Sequence, residues 1–303
     1  MTLEIVTRVL FLIFIAGLGW TVGTLLKIKS ADISALLIYI ISPFVIFVSI
    51  LQSPADWSYF AYSLGALVTT SIAAAVAYAI GRGLWRDGRT NLFSFAGGTG
   101  NTGYFALPLV FALFNEKQVA IAVFIIIGVN IYEFTVGYFI AARGVLNTRQ
   151  SLGRIVRLPI LYAALLGMLF KVLGIQPGEV VISSLSNFKG AYSVLGMMVI
   201  GITLAAYRKV EVDWPFLLAA IGWKHIAYPV LGILAFHYLA GLPTESLAVI
   251  ALMLATPMAG NTVVIASNLG VHPEKAALSV MVSTVLAVVT VPLAVAWVQG
   301  LGT

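Results

Sequence analysis

No cysteine occurs in the 303 residues, which excludes a disulfide framework, a thiol nucleophile and a cysteine-based metal site. Charge is scarce too: 9% of residues are charged against 61% hydrophobic, with a mean hydropathy of +1.04. A soluble domain of this length could not hide so much apolar side chain, so the composition leaves little room for an extramembrane domain. The three histidines (His225, His237 and His272) share no ligand spacing, and no metal site is expected. No strand precedes GGTGNTG at 97–103, so it is not read as a phosphate or dinucleotide loop. No Ser/His/Asp constellation emerges. The formal charge of +6 is not gathered into a basic cluster with interleaved aromatics, which excludes nucleic acid as a partner.

What the chain does have is a succession of apolar stretches about 20 residues long, the length a bilayer core requires. Hydropathy and the punctuation by Pro, Gly and charge predict an all-α integral membrane protein with ten spans. They lie at about 4–26, 31–52, 57–81, 91–114, 117–141, 155–175, 182–207, 214–240, 245–269 and 274–299. The first is long enough to be a span rather than a cleaved signal. The seventh carries the polar run SSLSNFKG at 183–190, which suits an interfacial position.

Cations set the orientation. Lys27, Lys29, Arg82, Arg86, Arg89, Arg143, Arg149, Arg154, Arg157, Arg208, Lys209 and Lys275 fall on one side of this topology. The opposite side, which carries both termini, has Arg8, Lys117 and Lys171, while Lys189 and Lys224 lie inside spans. The excess of cations in cytoplasmic loops then puts both termini outside the cytoplasm. Trp20, Trp57, Trp85, Trp214 and Trp297 fall near span ends and read as interface anchors.

Gly100-Asn101-Thr102 recurs as Gly260-Asn261-Thr262. Gly97, Gly98, Gly100, Gly103 and Pro108 load the fourth span, and Pro257 and Gly260 load the ninth. A glycine costs about 1 kcal/mol and a proline about 3 kcal/mol in a helix interior. Both helices are therefore expected to break, with Pro108 and Pro257 marking the breaks. Unwound backbone persists at membrane depth only where protein buries it or a polar cavity adjoins it. Asn101 and Asn261 are 160 positions apart, each in the fourth span of a five-span half. Five spans per half make the copies inverted, and paired broken helices point to a transporter's binding site.

Asn101 and Asn261 both donate and accept, which suits a carboxylate or a partly dehydrated cation; they can equally cap the broken helices. Gly100, Thr102, Gly260 and Thr262 complete the candidate substrate site, with Thr99 and Thr256 as secondary candidates. Glu133 lies inside the fifth span, with Asn130 on the same face. A buried acid costs about 2.5–3.5 kcal/mol on insertion scales and normally marks a pathway, a relay or an ion pair. Lys224, in the eighth span, has similar estimated depth. A Glu133–Lys224 pair, carriage of a coupling ion (H+ or Na+) by Glu133, and snorkelling of Lys224 all remain open readings. No cofactor is expected.

The stretch NLGVHPEKAALSVMVSTVLAVVTVPLAVAW at 268–297 resembles the auxin efflux carrier family, to which plant PIN carriers and bacterial dicarboxylate-type permeases belong. Val271-His272-Pro273 and Val291-Pro292-Leu293 carry the match, as do Gly100-Asn101-Thr102 and Leu107-Pro108-Leu109. Gly100 and Thr262 depart from the pattern, standing where PIN carriers have prolines. The loop at 142–154 is short, which suggests a bacterial-type member in the inner membrane.

The resemblance implies the fold of the bile acid–sodium symporter group. Scaffold helices would lie at 1–56 and 155–213 and a transport domain at 57–141 and 214–303, with spans 4 and 9 crossing. It also implies an elevator mechanism, a small organic anion as substrate and a homodimer formed through the scaffold helices. With span 4 running outward and span 9 inward, the N-termini of both second halves face the crossing. Helix N-termini favour an anion. The rivals are a sodium-coupled organic-anion symporter and, from a different class, an intramembrane enzyme, for which Glu133 with Lys224 is the only partial constellation.

Overall fold

Hydrocarbon leaves the backbone no partner but itself, and the chain responds with helices throughout. The computed structural model describes residues 2–142, 159–206 and 212–301, and no strand occurs among them. The helices are α1 Thr2–Leu25, α2 Ser30–Gln52, α3 Trp57–Leu84, α4 Gly88–Gly98, α5 at 102–113, α6 Glu116–Ala141, α7 Pro159–Val172, α8 Glu179–Ala205, α9 Trp214–Tyr238, α10 Thr244–Leu254, α11 Asn261–Leu269 and α12 Pro273–Leu301. Seven of them, α1, α2, α3, α6, α8, α9 and α12, are long and apolar enough to cross a membrane. The polar run at 183–190 lies within the unbroken helix α8. Most of the loop expected at 142–154 lies outside the described residues, as do Arg143, Arg149, Arg154, Arg157, Arg208 and Lys209.

Short polar side chains set the helix starts by accepting backbone N–H bonds that the first turn leaves open. Asp87 accepts from Arg89 N at α4 and Asp213 from Phe216 N at α9, while Asn115 and Gln118 form a reciprocal capping box at α6. Two of these caps also hold the loops together. Arg89 and Lys275 both reach Asp213 Oδ2 at 3.0 Å, and Arg89 also pairs with Asp87 at 2.9 Å. The hydrogen bond from Arg89 holds the Asp87 carboxyl down to about 2. Burial pushes Asp213 up, but bonds from Lys275, Phe216 N–H and Arg89 outweigh it and keep its carboxyl below the usual range. The starts of α4, α9 and α12 are thereby tied together.

The helix contacts can be followed in two groups. In the first, α1 packs along α8, α2 packs on α7, and α8 also touches α2. Gly201 permits the closest approach, since a Cβ there would collide with the Ala16 carbonyl. Such small-residue contacts let membrane helices approach closely. In the second set, α3 packs on α4 and α6, α10 on α12 and α9, and α11 on α12. Contacts of α1 with α12 and of α2 with α6 join the two sets.

Trp20, Trp57 and Trp214 are exposed, in keeping with an anchoring role. Trp85 is not an anchor: it is buried against Phe93 and Phe216, with the Arg89 guanidinium 5.9 Å from its ring centroid. Its place at a span end gave no sign of this, because the aromatic partners come from α4 and α9.

Candidate functional site

Both expected breaks are present. α4 ends at Gly98 and α5 begins at Thr102; α10 ends at Leu254 and α11 begins at Asn261. The two unwound segments meet: Asn101 N–H donates to the Pro257 carbonyl at 2.8 Å. Pro108 lies in α5, nearly two turns beyond the first break, whereas Pro257 sits in the second break itself.

A broken helix must satisfy the groups it frees. At the end of α4, Tyr132 OH donates to the Phe95 carbonyl at 3.2 Å and Trp223 Nε1 to the Gly97 carbonyl at 3.0 Å. In the second break, Thr256 Oγ1 donates to Met253 O at 2.9 Å and Met258 N–H donates to Ser283 Oγ at 2.8 Å. Ser283 also meets His225 Nε2 at 2.7 Å, and His225 Nδ1 meets Thr290 Oγ1 at 2.8 Å. Thr290 spends its proton on the Leu286 carbonyl, so the network assigns the proton of His225 to Nδ1 and leaves Nε2 to accept from Ser283. His225 is a strut that ties α9 to α12 and, through Ser283, to the second break. Among the described residues no group of His, Cys, Asp and Glu could hold a metal ion.

Asn101 both caps and lines. Its Oδ1 accepts from Phe105 N–H at 3.2 Å in the first turn of α5. Its Nδ2 is buried with no hydrogen-bond partner, in a side chain only 3% exposed. A buried donor left empty is costly, and the residue that carries it lines a cavity of about 60 Å³. Thr102, Asn130, Glu133, Gly260 and Asn261 border the same cavity, as do Ser42 of α2, Ile160 of α7 and Tyr192 of α8. Thr262 Oγ1 is likewise buried without a partner, while Asn130 Nδ2 is spent on the Ile126 carbonyl of its own helix at 2.9 Å.

Glu133 is 3% exposed and both its oxygens are engaged. Thr99 Oγ1 donates to Oε1, and Asn261 Nδ2 donates to Oε2 at 2.9 Å. The carboxylate thus bonds the crossing from both sides.

The direct Glu133–Lys224 pair expected from their depth is not made. Lys224 is 1% exposed, so it does not snorkel either. Its Nζ lies 4.6 Å from the centroid of Tyr228, close against Gly100. A Cβ on Gly100 would lie 2.9 Å from Nζ and 2.6 Å from Thr256 Oγ1. Glycine at position 100, where PIN carriers have proline, is what lets the ammonium approach the crossing. The two charges flank the unwound backbone instead of touching.

Sequence reasoning missed several participants. Tyr192 and Ser42 face the cavity from the other helix set, and nothing in their local sequence marks them. It also missed that Glu133, Lys224 and the segment after Asn101 each lie in a wide helical turn: Glu133–Gly137, Trp223–Ala227 and Thr102–Ala106. Such turns, one residue wider than an α-turn, recur at functional sites.

A family profile described as "Membrane transport protein" matches residues 4–295. A protein of Rhizobium meliloti (strain 1021) carrying the name "Putative malonate transporter" is 24% identical over 271 residues, which is 86% of this chain and 84% of that one.

Proposed function

The chain belongs to the membrane transport protein family, and on that premise we propose that it is a secondary transporter of small organic anions, carboxylates in particular, rather than an enzyme. The observation that carries the reading is Asn101, which keeps a buried Nδ2 donor without a partner and lines a small cavity where α5 and α11 begin. Helix N-termini offer N–H groups and partial positive charge to an anion. A cavity of about 60 Å³ has room for a few water-sized groups, which suits a compact dicarboxylate such as malonate and not a steroid skeleton. The name of the Rhizobium protein agrees with that size.

The reading extends to the fold. Ten spans form two inverted five-helix repeats, with α4–α5 and α10–α11 as the fourth span of each. The scaffold is 1–56 and 155–213; the transport domain is 57–141 and 214–303. In support, α1, α2, α7 and α8 pack on one another, and the cavity lies where Ser42, Ile160 and Tyr192 of that set meet the crossing. An elevator motion of the transport domain would carry the site past this wall.

Glu133 shares the cavity with the proposed anion, so entry of a carboxylate needs a compensating cation, H+ or Na+, at that carboxylate. Purified protein in proteoliposomes should accumulate labelled malonate when a pH or a Na+ gradient is imposed, and excess unlabelled malonate should abolish the uptake. Absence of malonate uptake and of counterflow under every gradient would reject the dicarboxylate reading.

On this reading both termini lie outside the cytoplasm of a bacterial inner membrane, which the cation asymmetry of the sequence supports. The natural chain has no cysteine, so single cysteines report cleanly. A cysteine at Arg86 should be shielded from an impermeant thiol reagent in intact cells, and cysteines at Glu116 and Glu245 should be labelled. The opposite pattern would invert the topology.

A further inference from the structure

A second cavity, of about 340 Å³, lies behind the crossing. It shares Gly100, Thr102 and Val129 with the small cavity but otherwise has different walls. Its exposed lining residues include Ser58 and Ala61 near the start of α3 and Ala240 just after α9; its buried ones include Gly98, Gly100 and Lys224. Between them the wall is apolar, built from Ile125, Ile250 and Leu254 among others.

We propose that this cavity is a binding site for a linear monocarboxylate of medium chain length, with its carboxylate on Lys224 and its alkyl chain along the apolar wall. Lys224 is buried and no carboxylate lies within salt-bridge reach of it among the described residues. Its neighbours are the Tyr228 ring and Thr256 Oγ1 beside Gly100, and neither carries negative charge. The nearest acid, Glu133, is engaged with Thr99 and Asn261 across the unwound segment. A buried amine without a contacting counter-charge is costly to ionise, and an incoming carboxylate would offset that cost. The size falls within the range of small-molecule sites, which are mostly apolar with a few placed polar groups. A malonate ion would leave the apolar wall unused, whereas an alkyl carboxylate matches both ends. The site lies outside the proposed transport cavity, so a ligand in it would act on the crossing from behind.

The test is equilibrium binding of labelled octanoate to the protein in lipid nanodiscs, with empty nanodiscs as the blank. Saturable binding is expected that octan-1-ol displaces at least tenfold less well than unlabelled octanoate, and that malonate does not displace. Lys224→Met should weaken octanoate binding at least tenfold. Gly65→Leu supplies a second variant: Gly65 borders the cavity, and a Cβ there meets nothing within 4 Å. A larger side chain can therefore start there without its Cβ meeting another atom, and the leucine should block octanoate while leaving malonate uptake measurable. Equal displacement by octan-1-ol would mean an apolar slot of the kind a lipid chain fills, and would overturn the proposal. So would octanoate binding that both variants leave unchanged, or direct competition by malonate, which would place octanoate in the transport cavity. Because octanoate binding is read without transport, failure of malonate uptake leaves this result interpretable.

Discussion

Glu133→Gln should leave a folded protein that has lost at least tenfold in malonate uptake and no longer responds to an imposed pH or Na+ gradient. The amide keeps one oxygen to accept from Thr99 or Asn261, so the crossing retains part of its bonding. What disappears is the negative charge that a proton or a sodium ion would neutralise as the substrate enters. Glu133→Ala separates the structural share. It leaves Thr99 Oγ1 and Asn261 Nδ2 without an acceptor, each worth about 1–3 kcal/mol when buried, and it leaves the Lys224 ammonium with no acid near the crossing. Alanine should therefore lower the melting temperature well below that of the glutamine variant. Thermal unfolding in detergent paired with uptake in proteoliposomes distinguishes the two roles. A glutamine variant with wild-type uptake and unchanged gradient dependence would show that Glu133 is a brace and carries no coupling ion.

The difference between Glu133 and Lys224 shows how far the sequence could be read. Hydropathy locates a residue along the membrane normal, and that was enough to give both a similar depth. It says nothing about the direction in which a side chain leaves its helix. The glutamate turns toward Thr99 and Asn261 and the lysine toward Gly100 and Tyr228, so equal depth did not become contact.

The breaks were legible because glycine and proline penalties are local and large. The wide turns at Glu133 and Trp223 were not, since a shift of hydrogen-bond register by one residue has no compositional mark. The large cavity was equally hidden. Small residues line it from two helices, Ala61 and Gly65 one turn apart on α3 and Gly98 at the end of α4, and no local pattern marks them as neighbours. His225 looked like an isolated polar residue next to a charge; only the position of α12 supplies Ser283 and Thr290.

Asn101→Asp should reduce malonate affinity more than Asn101→Ala does, and that order is the sharpest test of an anion at the crossing. Aspartate preserves the oxygen that caps Phe105 N–H, so the start of α5 should be kept. It replaces the unfilled Nδ2 donor with a second acceptor and adds a negative charge beside Glu133, in the same small cavity. Alanine removes both the cap, worth about 1 kcal/mol of stability, and the donor, worth about 1–3 kcal/mol of binding if it meets a desolvated carboxylate. Alanine should thus weaken malonate roughly ten- to a hundredfold in protein selected as folded by size-exclusion chromatography, and aspartate should weaken it further despite better folding. Asn261→Asp is expected to act in the same direction and also to destabilise, because its amide already donates to Glu133 and a carboxylate there would set two acids face to face. If instead Asn101→Asp binds malonate as tightly as wild type, or more tightly, the cavity holds a cation. The anion must then be sought on the Lys224 side of the crossing.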